Sequence, residues 1–508
     1  MSLSREQVQK VGMYAAPLIA VLVYSLLPGK YNDPVGQTVP FTTEGRMTLA
    51  LMTWMAIWWL TEAVEISTTA LIPLALFPLL NVTDIKTAAA PYAHPLIFLY
   101  LGGFIIALSM QKWGLDKRIA LTILGKVGTK PANMIGGFML TTAFLSAFIS
   151  NTATTAMMLP IALSVVTLLN TSANNHGQTT SHGGGFGTAL MLGIAYAASI
   201  GGISTIVGTP PNAFLVGFVG ESIAEEHRME IGFARWLVVG LPVTLVMLPV
   251  TWVLLTRFLF PLHTPQVKGG KELIEVEIAK LGIMKRGEWI TLIIFGLTGL
   301  FWILRPFITD FSFNAGGREW MPFAGLSDTV IAMIAAGLLF SIPANPTKRE
   351  FTMDWKTTSK LPWDILILFG GGMSLANAVK ETGVAEFIGS QATFFAGVPT
   401  PILVLIITTA VIFLTELTSN IATTATLLPI LAALAPGLGV DPYLLIIPAT
   451  IAASCAFMMP VATPPNAIVF GSRQISLPQM MRAGIWLNLA GIIIIPVVIS
   501  LTLRFLVD

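Results

Sequence analysis

The sequence predicts an all-α polytopic membrane protein in which eleven transmembrane helices and two re-entrant hairpins form an inverted repeat. Composition gives the first indication. Of the 508 residues, 54% are hydrophobic and only 11% are charged, whereas a soluble domain has about 25% charged residues. Apolar stretches long enough to cross about 30 Å of hydrocarbon and a block of motifs that recurs in the second half of the chain give the other two.

The composition also excludes several other classes of protein. Lys and Arg total 28 against 26 for Asp and Glu, so the basic excess of a nucleic-acid-binding protein is missing. Cys455 is the single cysteine and has no second thiol for a disulfide or a zinc site. The apolar run that follows Arg5 and Lys10 resembles a signal sequence, but no small-residue cleavage site follows it. We therefore expect a retained first span.

The predicted spans are spread over the whole chain. They lie at 11–28, 47–62, 66–80, 95–112, 188–219, 235–260, 288–305, 327–343, 362–379, 442–471 and 481–506. Two further apolar stretches, 132–169 and 399–436, are each interrupted near the middle by a polar tripeptide. Each is predicted to enter the membrane and return on the same side.

The polar linkers divide the chain and indicate its orientation. We expect an N-terminal span and external loop at 1–46, a first repeat at 47–260, a cytoplasmic linker at 261–287 and a second repeat at 288–508. Within the first repeat, 170–187 is predicted to be a surface loop. The lysine-rich linker at 261–287 is predicted to form an interfacial amphipathic helix. A cytoplasmic N-terminus and an external C-terminus place most Lys and Arg inside, as the positive-inside rule requires of a protein in the cell membrane.

The internal repeat is the most informative feature of the sequence. The Ser-Asn-Thr tripeptide at 150–152, followed by Ala-Thr-Thr-Ala, recurs 269 positions later as Ser-Asn-Ile at 419–421 with the same continuation. Thr-Pro-Pro-Asn at 209–212 recurs 254 positions later at 463–466. Each half contains five spans and one hairpin, and an odd number of crossings gives the two copies opposite orientations. Inverted repeats of this kind are typical of secondary transporters.

The two tripeptides are predicted to be the tips of the hairpins. The arms on either side are about 15 residues long, so each tip should lie near the bilayer midplane, where irregular backbone is tolerated only inside protein or beside an aqueous cavity. The helix that follows each tip directs its free N–H groups into that cavity. If only one such motif were present, its Ser, Asn and Thr could equally be plain helix caps. Two copies at matching positions favour an anion-binding site.

The two Thr-Pro-Pro-Asn segments are predicted to break their spans into half-helices, because proline lacks an N–H and clashes with the preceding turn. A simple proline kink is the alternative. Repetition at corresponding places in both halves favours a binding site. The unwound carbonyl groups of Gly208 and Ala462 would then be available to a cation.

Ionisable residues within the predicted spans are few. Glu62, Glu65 and Asp364 lie near span ends and are expected to be interfacial or to cap helices. Glu416 lies deeper, and its role stays open. The tips and the broken spans contain no Lys, Arg or His, so a bound dianion would have to be balanced by bound cations.

These motifs together resemble the divalent-anion:sodium symporters, a family that includes the sodium-coupled dicarboxylate and citrate transporters. The resemblance covers nearly the whole chain and rests on Trp-Trp-Leu-Thr-Glu-Ala at 58–63, Thr-Glu-Leu-Thr-Ser-Asn at 415–420, the two tips and the two Thr-Pro-Pro-Asn segments. It implies an elevator-type transporter, a homodimer whose transport domain, holding both hairpins and both broken helices, slides against a fixed scaffold domain.

The resemblance also implies the residues of three sites. Substrate is expected to contact Ser150, Asn151, Thr152, Thr209, Ser419, Asn420, Thr463 and Pro464. A first sodium site is expected at Ser146, Ser150, Asn151 and the carbonyl of Gly208. A second sodium site is expected at Thr415, Thr418, Asn420 and the carbonyl of Ala462. Ile421 departs from the family, which often has Thr there, and Val64 and Glu65 depart where proline is expected.

The predicted function is sodium-coupled symport of a di- or tricarboxylate, with a C4-dicarboxylate such as succinate favoured and sodium as the coupling ion. Sodium-independent dicarboxylate exchange is the alternative within the class, although an exchanger should carry a basic residue near the tips. An ion channel is a further alternative. We expect no enzyme, no organic cofactor and no nucleic-acid partner, since no nucleophile with an adjacent base occurs and the five histidines fall in predicted loops or at span ends.

Overall fold

A computed structural model describes residues 5–32, 37–174, 185–223, 228–262, 270–315, 318–391 and 397–507, and most of these residues are helical. The helices up to the central linker are α1 (Arg5–Leu26), α2 (Thr43–Thr61), α3 (Ile66–Thr69), α4 (Ile72–Leu79), α5 (Ile85–Ala89), α6 (Pro95–Trp113), α7 (Leu115–Leu124), α8 (Pro131–Ser146), α9 (Asn151–Asn174), α10 (Gly185–Ile203), α11 (Pro210–Ser222) and α12 (Phe233–Val253). A π-helical turn, Leu254–Leu259, extends α12.

The second half of the chain continues the same pattern. Its helices are α13 (Gly270–Leu281), α14 (Arg286–Thr309), α15 (Asp328–Ser341), α16 (Trp363–Glu381), α17 (Val384–Ser390), α18 (Thr400–Thr415), α19 (Asn420–Leu438), α20 (Tyr443–Ala453), α21 (Pro464–Gly471), α22 (Leu477–Thr502) and α23 (Arg504–Val507). The strands, which the sequence did not predict, form short antiparallel hairpins: β1 (Lys30–Asn32) with β2 (Thr38–Pro40), β3 (Phe313–Ala315) with β4 (Arg318–Trp320), and β5 (Pro343–Asn345) with β6 (Glu350–Phe351).

Eight helical segments of the described ranges are long and apolar enough to cross a membrane. They are Arg5–Leu26, Ile85–Trp113, Asn151–Leu168, Gly185–Ile203, Phe233–Leu259, Arg286–Thr309, Asn420–Leu438 and Leu477–Thr502. Shorter apolar helices occupy Ile66–Leu79, Asp328–Ser341, Thr400–Thr415 and Tyr443–Ala453. The chain is therefore a multi-pass membrane protein, and the full count of eleven spans stays a prediction.

The helix bounds follow the sequence repeat. Both ends of α8 recur 269 positions later as the ends of α18, and the first residue of α9 recurs at the same interval as the first residue of α19. Gly114 and its counterpart Gly383 both adopt left-handed backbone, with φ of 73° and 77°, a conformation that glycine reaches without a Cβ penalty. The two hairpins are thus built on one local plan.

Two sequence predictions need correction. The predicted span at 66–80 is divided into α3 and α4, since Pro73 lies in the first turn of α4 and has no N–H to continue a helix from α3. The predicted surface loop at 170–187 is narrower than expected. Residues 170–174 continue α9 and 185–187 begin α10, while the rest of that loop lies outside the described residues.

The central linker contains the helix α13, whose interfacial position stays a prediction, and side chains on α7 contact this helix and the start of α14. Glu277 of α13 accepts hydrogen bonds from Lys117 at 3.2 Å and Lys280 at 2.6 Å. Arg118 of α7 pairs with Glu288, at the start of α14, at 3.0 Å. Glu288 is 4% exposed, so this ion pair fixes the end of the linker more firmly than the exposed pairs do.

Candidate functional site

The tip of the first hairpin lies between α8 and α9. Ser146, the last residue of α8, is fully buried and donates a 2.6 Å hydrogen bond from Oγ to Oδ1 of Asn151, the first residue of α9. Ser150 accepts a hydrogen bond from the backbone N–H of Ala153 at 3.3 Å, which caps the new helix. Thr152 is exposed. The tip therefore presents the amide oxygen of Asn151, which is hydrogen-bonded to Ser146, and the exposed hydroxyl of Thr152.

The first broken helix is interrupted between Ile203, where α10 ends, and Pro210, where α11 begins. The side chain of Asn212 spans this gap: Nδ2 donates to the carbonyl groups of residues 202, 203 and 205 at 3.2, 3.1 and 2.8 Å. Its Oδ1 is buried and has no hydrogen-bond partner among the described residues. Buried polar atoms are normally paired, so this acceptor fits a cation or a water molecule.

The first tip and the first break meet at two glycines. A Cβ on Gly202 would lie 2.6 Å from Oδ1 of Asn151 and 3.2 Å from the carbonyl oxygen of Gly208. A Cβ on Gly208 would lie 2.5 Å from the Gly202 carbonyl oxygen and 3.1 Å from that of Ala147. Three of the residues expected at the first sodium site, Ser146, Asn151 and Gly208, are therefore close together. The sequence did not predict the oxygens of Ala147 and Gly202 beside them.

The second hairpin repeats the bridge at its tip. Oγ1 of Thr415, the last residue of α18, donates to Oδ1 of Asn420 at 2.9 Å and also lies 2.7 Å from the carbonyl oxygen of Ala453. Thr418 instead bonds to Thr423, at 2.7 Å between the hydroxyl oxygens, and to the carbonyl of residue 414. Thr415 and Asn420 are thus brought together, and the hydrogen bonds of Thr418 are made within the hairpin.

The second broken helix is nonhelical between Ala453 and Pro464. Asn466 plays the part of Asn212: its Nδ2 donates to the carbonyls of residues 456 and 459 at 3.1 and 3.0 Å, and its buried Oδ1 has no partner within the described part of the chain. Thr463 accepts a hydrogen bond from the N–H of Asn466 at 3.3 Å and so caps α21. Ala462 donates its N–H to the carbonyl of residue 459.

The halves of the two broken helices pack crosswise onto the hairpins. α21 of the second repeat lies against α9 of the first, and α11 of the first lies against α19 of the second. The helices that begin with Thr-Pro-Pro-Asn therefore border the helices that begin at the opposite tip. Thr209 and Thr463 are buried, while Ser419 is half-buried and Pro464 exposed.

A cavity of about 700 Å³ leads to the second tip. Ile421 lines it together with Glu62, Glu65 and the start of α16 at Asp364. A second cavity, of about 520 Å³, lies at the other end of α16 and is lined by Ser374, Asn377 and Glu381 among others.

The three glycines at 370–372 separate these cavities along α16. A Cβ on Gly371 would lie 2.1 Å from the carbonyl oxygen of Ala70, and one on Gly372 would lie 2.2 Å from the ring of Phe214. The helix is therefore tightly packed between its two cavities. The cavity that includes Ile421 lies beside the start of α16, where Asp364 and Ile365 line it.

The ionisable residues near the cavity are placed at helix ends. Glu62 is the C-cap of α2, with φ of 48°, and pairs with Arg5. Glu65 precedes α3, and Asp364 lies in the first turn of α16, where a carboxylate is favourable beside the helix dipole.

Several residues that hold the site gave no clear signal in the sequence. Tyr100 donates its hydroxyl to the carbonyl of Ile206 in the first break, and Tyr196 donates to the carbonyl of Phe457 in the second at 2.8 Å. Asn488 of α22 donates a hydrogen bond to Glu416, a residue that the sequence had singled out without a partner and that also accepts from the backbone of the second break. Aromatic and amide residues inside apolar helices are common, so their positions alone indicated no role.

The two tips and the two breaks offer uncharged groups: oxygens that can coordinate a cation, and hydroxyl and N–H groups that can donate hydrogen bonds. Amide, hydroxyl and carbonyl oxygens are the ligands that hard cations prefer, and hydroxyl and N–H groups at helix starts suit carboxylates. Across the described ranges, no group of three His, Cys, Asp or Glu residues is placed to hold a metal ion. His94 caps α6, and the other four histidines lie outside the described residues.

Comparison with known proteins identifies the family. The chain is 40% identical over 494 residues to a sodium-dependent dicarboxylate transporter of Staphylococcus saprophyticus, covering 97% of this chain and 91% of the relative. Its counterpart in Staphylococcus aureus strain USA300 is 40% identical over 493 residues, covering 97% and 90%. Both relatives are transporters, in agreement with the prediction that the chain is not an enzyme.

Solved structures with little sequence similarity share the fold. The antimetabolite efflux pump MtrF of Neisseria gonorrhoeae superposes with a TM-score of 0.60 at 14% identity, covering 98% of this chain and 95% of that one. The YdaH transporter of Alcanivorax borkumensis gives 0.59 at 12% identity, covering 99% and 98%. The sodium:sulfate symporter transmembrane region matches residues 13–507. The chain therefore belongs to the sodium:sulfate symporter family, the divalent anion:sodium symporters.

Proposed function

We propose that this protein is a secondary transporter that carries a C4-dicarboxylate such as succinate across the cell membrane together with sodium. The observation that carries the proposal is the paired construction of the site: in each repeat a hairpin tip presents an Asn amide oxygen bridged to a hydroxyl, beside a broken helix. The names of the staphylococcal relatives, which cover nearly the whole chain, support a dicarboxylate substrate and sodium as the coupling ion.

The first sodium ion would bind where Asn151 Oδ1 meets the backbone oxygens around Gly202 and Gly208. A side chain on either glycine would fill the space between these oxygens, so the two glycines leave room for an ion there. The second sodium ion would bind at Thr415, Asn420 and the nearby carbonyls. The unpartnered Oδ1 atoms of Asn212 and Asn466, two acceptors buried among the described residues, support a cation-attracting environment in both repeats.

The substrate carboxylates would lie at the tips, between the two sodium ions. Ser150, Asn151 and Thr152 would contact one carboxylate, and Ser419 and Asn420 the other, with Thr209, Thr463 and Pro464 lining the space from the broken helices. The free N–H groups at the starts of α9 and α19 add donors. Ile421 contributes an apolar contact at the second tip, which favours a compact aliphatic dianion over a more polar tricarboxylate.

Transport would occur by an elevator movement of the hairpins and broken helices against the remaining helices, in a homodimer. The cavity of about 700 Å³ that includes Ile421 supports a state open on the side where α16 begins. With a cytoplasmic N-terminus this is the cytoplasmic side. The tightly packed glycines at 370–372 would close the opposite route.

The experiment is succinate binding and counterflow by purified protein in proteoliposomes, with choline replacing sodium. The proposal requires that succinate affinity rise steeply with sodium and that uptake stop without it. Competition by malate, fumarate, 2-oxoglutarate, citrate and sulfate then ranks the substrates. Full activity in choline would refute the coupling and favour sodium-independent exchange, and uptake that does not saturate would favour a channel.

A further inference from the structure

Glu416 is a buried carboxylate in the turn between α18 and α19, and it is 4% exposed. Its Oε1 accepts hydrogen bonds from the N–H of Phe457 at 2.7 Å and from Nδ2 of Asn488 at 2.8 Å. Its Oε2 accepts from the N–H of Met459 at 3.1 Å, and the N–H of Met458 is shared between the two oxygens at 2.9 and 3.1 Å. All four partners are donors, which is the pattern of an ionised carboxylate.

These contacts tie three elements together at the second break. Three successive N–H groups left free by the unwinding after α20 form a concave anion site, and a side chain of the adjoining hairpin occupies it. Asn488 adds α22, which approaches this segment so closely that a Cβ on Gly484 would lie 2.4 Å from the carbonyl group of Phe457. The unwound backbone is thus held on the hairpin by Glu416.

The corresponding position of the first repeat carries no carboxylate. The residue 269 positions before Glu416 is Ala147, and its carbonyl accepts a hydrogen bond from the Thr205 hydroxyl of the first break. The backbone N–H of Ser204, in that break, bonds to the carbonyl of Gly201 at 3.1 Å. One break is therefore fixed by neutral hydrogen bonds, and the other by a full negative charge.

The Glu416 carboxylate and the Thr415 hydroxyl both bind the second break, Glu416 at the N–H of Phe457 and Thr415 at the carbonyl of Ala453. Glu416 directly follows Thr415, whose hydroxyl contacts both Asn420 Oδ1 and the Ala453 carbonyl oxygen. In a weakly polar interior the attraction between a carboxylate and a nearby cation is much larger than in water. A buried charge also carries a desolvation cost, which a neighbouring cation offsets.

We propose that Glu416 is a positioning residue that makes the two cation sites unequal: the site at Thr415 and Asn420 binds sodium more tightly and fills first, and the site at Asn151 fills second. The inference rests on the proposed function, since it takes sodium as the ligand. It assigns to the hairpin of the second repeat the task of capturing the first cation before substrate arrives.

The test measures sodium binding without substrate, through the rise of the unfolding temperature of the purified protein as sodium replaces choline at constant ionic strength. A ligand that binds the native state raises this temperature as its concentration exceeds its dissociation constant. Asn151→Ala should keep the response at low sodium, and Asn420→Ala should lose it. Glu416→Gln should resemble Asn420→Ala, with the midpoint shifted to about tenfold higher sodium, the change that about 1.4 kcal/mol of lost attraction gives.

Two further variants separate charge from structure. Glu416→Asp keeps the charge and should retain most of the sodium affinity. Glu288→Gln removes another buried carboxylate, away from the tips, and should lower the unfolding temperature without moving the sodium midpoint.

A wild-type midpoint in Glu416→Gln, or an Asp variant as impaired as the Gln variant, would overturn the proposal. If Glu416→Gln does not fold, the two Asn variants decide, and equal midpoints or loss of the early response in Asn151→Ala would overturn it. No sodium response in the wild type would refute the proposed function itself.

Discussion

Ser146 and Asn151 face each other across the tip of the first hairpin, with Ser146 Oγ 2.6 Å from Asn151 Oδ1. The two residues end one helix and begin the next, so the bridge closes the turn between them. It uses one of the two lone pairs on the amide oxygen and leaves the other beside Gly202 and Gly208. The same relation between Thr415 and Asn420 at the second tip shows that the bridge belongs to the repeat.

The space beside Asn151 gives the first prediction. Gly202→Ala places a methyl group where only 2.6 Å separates it from Asn151 Oδ1, so the amide must rotate away from the backbone oxygens. We expect sodium-dependent uptake to fall by about tenfold or more, in line with about 1.4 kcal/mol lost at one site. The control is Gly296→Ala in α14, where nothing lies within 4 Å. Normal uptake in Gly202→Ala would place the cation elsewhere.

Thr152 at the first tip and Thr463 at the second break are predicted to respond differently to substitution by alanine. Thr152 is exposed, so Thr152→Ala should weaken succinate binding by about 10- to 150-fold, the effect of about 1.5–3 kcal/mol for a hydrogen bond to a charged group, without lowering the unfolding temperature. Thr463 caps α21, so Thr463→Ala should lower both the affinity for succinate and the unfolding temperature, because loss of a cap costs about 0.5–2 kcal/mol. Isothermal titration and thermal unfolding of each variant measure the two effects. Unchanged affinity in both would contradict the placement of the carboxylates.

The sequence predicted the parts of the site whose signal is local and repeated. The tips at 150–152 and 419–421 and the breaks before Pro210 and Pro464 coincide with helix ends in the structure, because proline and capping residues act on the backbone next to them. The division of 66–80 into α3 and α4 was missed although Pro73 marks it, because the prediction of this span rested on its length and apolar composition. The short strands were missed because two or three residues are too few to show an alternating pattern.

The contacts that assemble the site could not be predicted from local sequence patterns. Glu416 was expected to lie deeper in the membrane than the other carboxylates, but its partners are 41 to 72 positions away. Tyr100 reaches the first break across 106 positions. Such pairs depend on how helices pack, and a single sequence records no distances between them. The convergence of Gly202 on Asn151 was likewise invisible, since glycine is frequent in membrane helices.

The orientation of the chain gives a third prediction. Cys455 is fully buried, so the wild-type protein serves as a background for single surface cysteines. Asp310 and Glu350 are exposed beyond the C-terminal ends of α14 and α15, respectively. With a cytoplasmic N-terminus, Asp310→Cys should react with an impermeant thiol reagent added to intact cells, and Glu350→Cys should react only after permeabilisation. The reverse labelling would invert the orientation and the side assigned to the cavity.

The ion pair between Lys112 and Asp354 gives a prediction about pH. Hydrogen bonds from Lys112 and Thr357 lower the pKa of Asp354 from 3.8 to about 2. The folded state therefore favours the ionised form, and the stabilisation is complete above the unfolded pKa and is lost as pH falls toward 2. Because the Asp354 side chain is 48% exposed, the pair contributes about 1 kcal/mol at most.

Asp354→Asn should accordingly lower the unfolding temperature slightly and by the same amount at about pH 5 and about pH 8, both of which lie above that window. High salt should reduce the difference by screening the charges. A penalty that disappears between about pH 8 and about pH 5 would mean that a group other than Asp354 controls this contact. Asp310→Asn, which removes an exposed carboxylate at the end of α14, is the matched control.

The number of cation sites predicts how transport responds to membrane potential. Two sodium ions, one at Asn151 and one at Asn420, would neutralise the two charges of succinate. The charge of Glu416 would cross with the loaded carrier and return with the empty one, so a complete transport cycle would move no net charge. Each uncompensated charge would add about 2.3 kcal/mol per 100 mV, which would change uptake several-fold within the physiological range of potentials. We expect succinate uptake into proteoliposomes to be the same with an inside-negative potassium diffusion potential as without one. A potential that accelerates uptake would require a third sodium ion, and Asn151→Ala and Asn420→Ala would then show whether it shares either site.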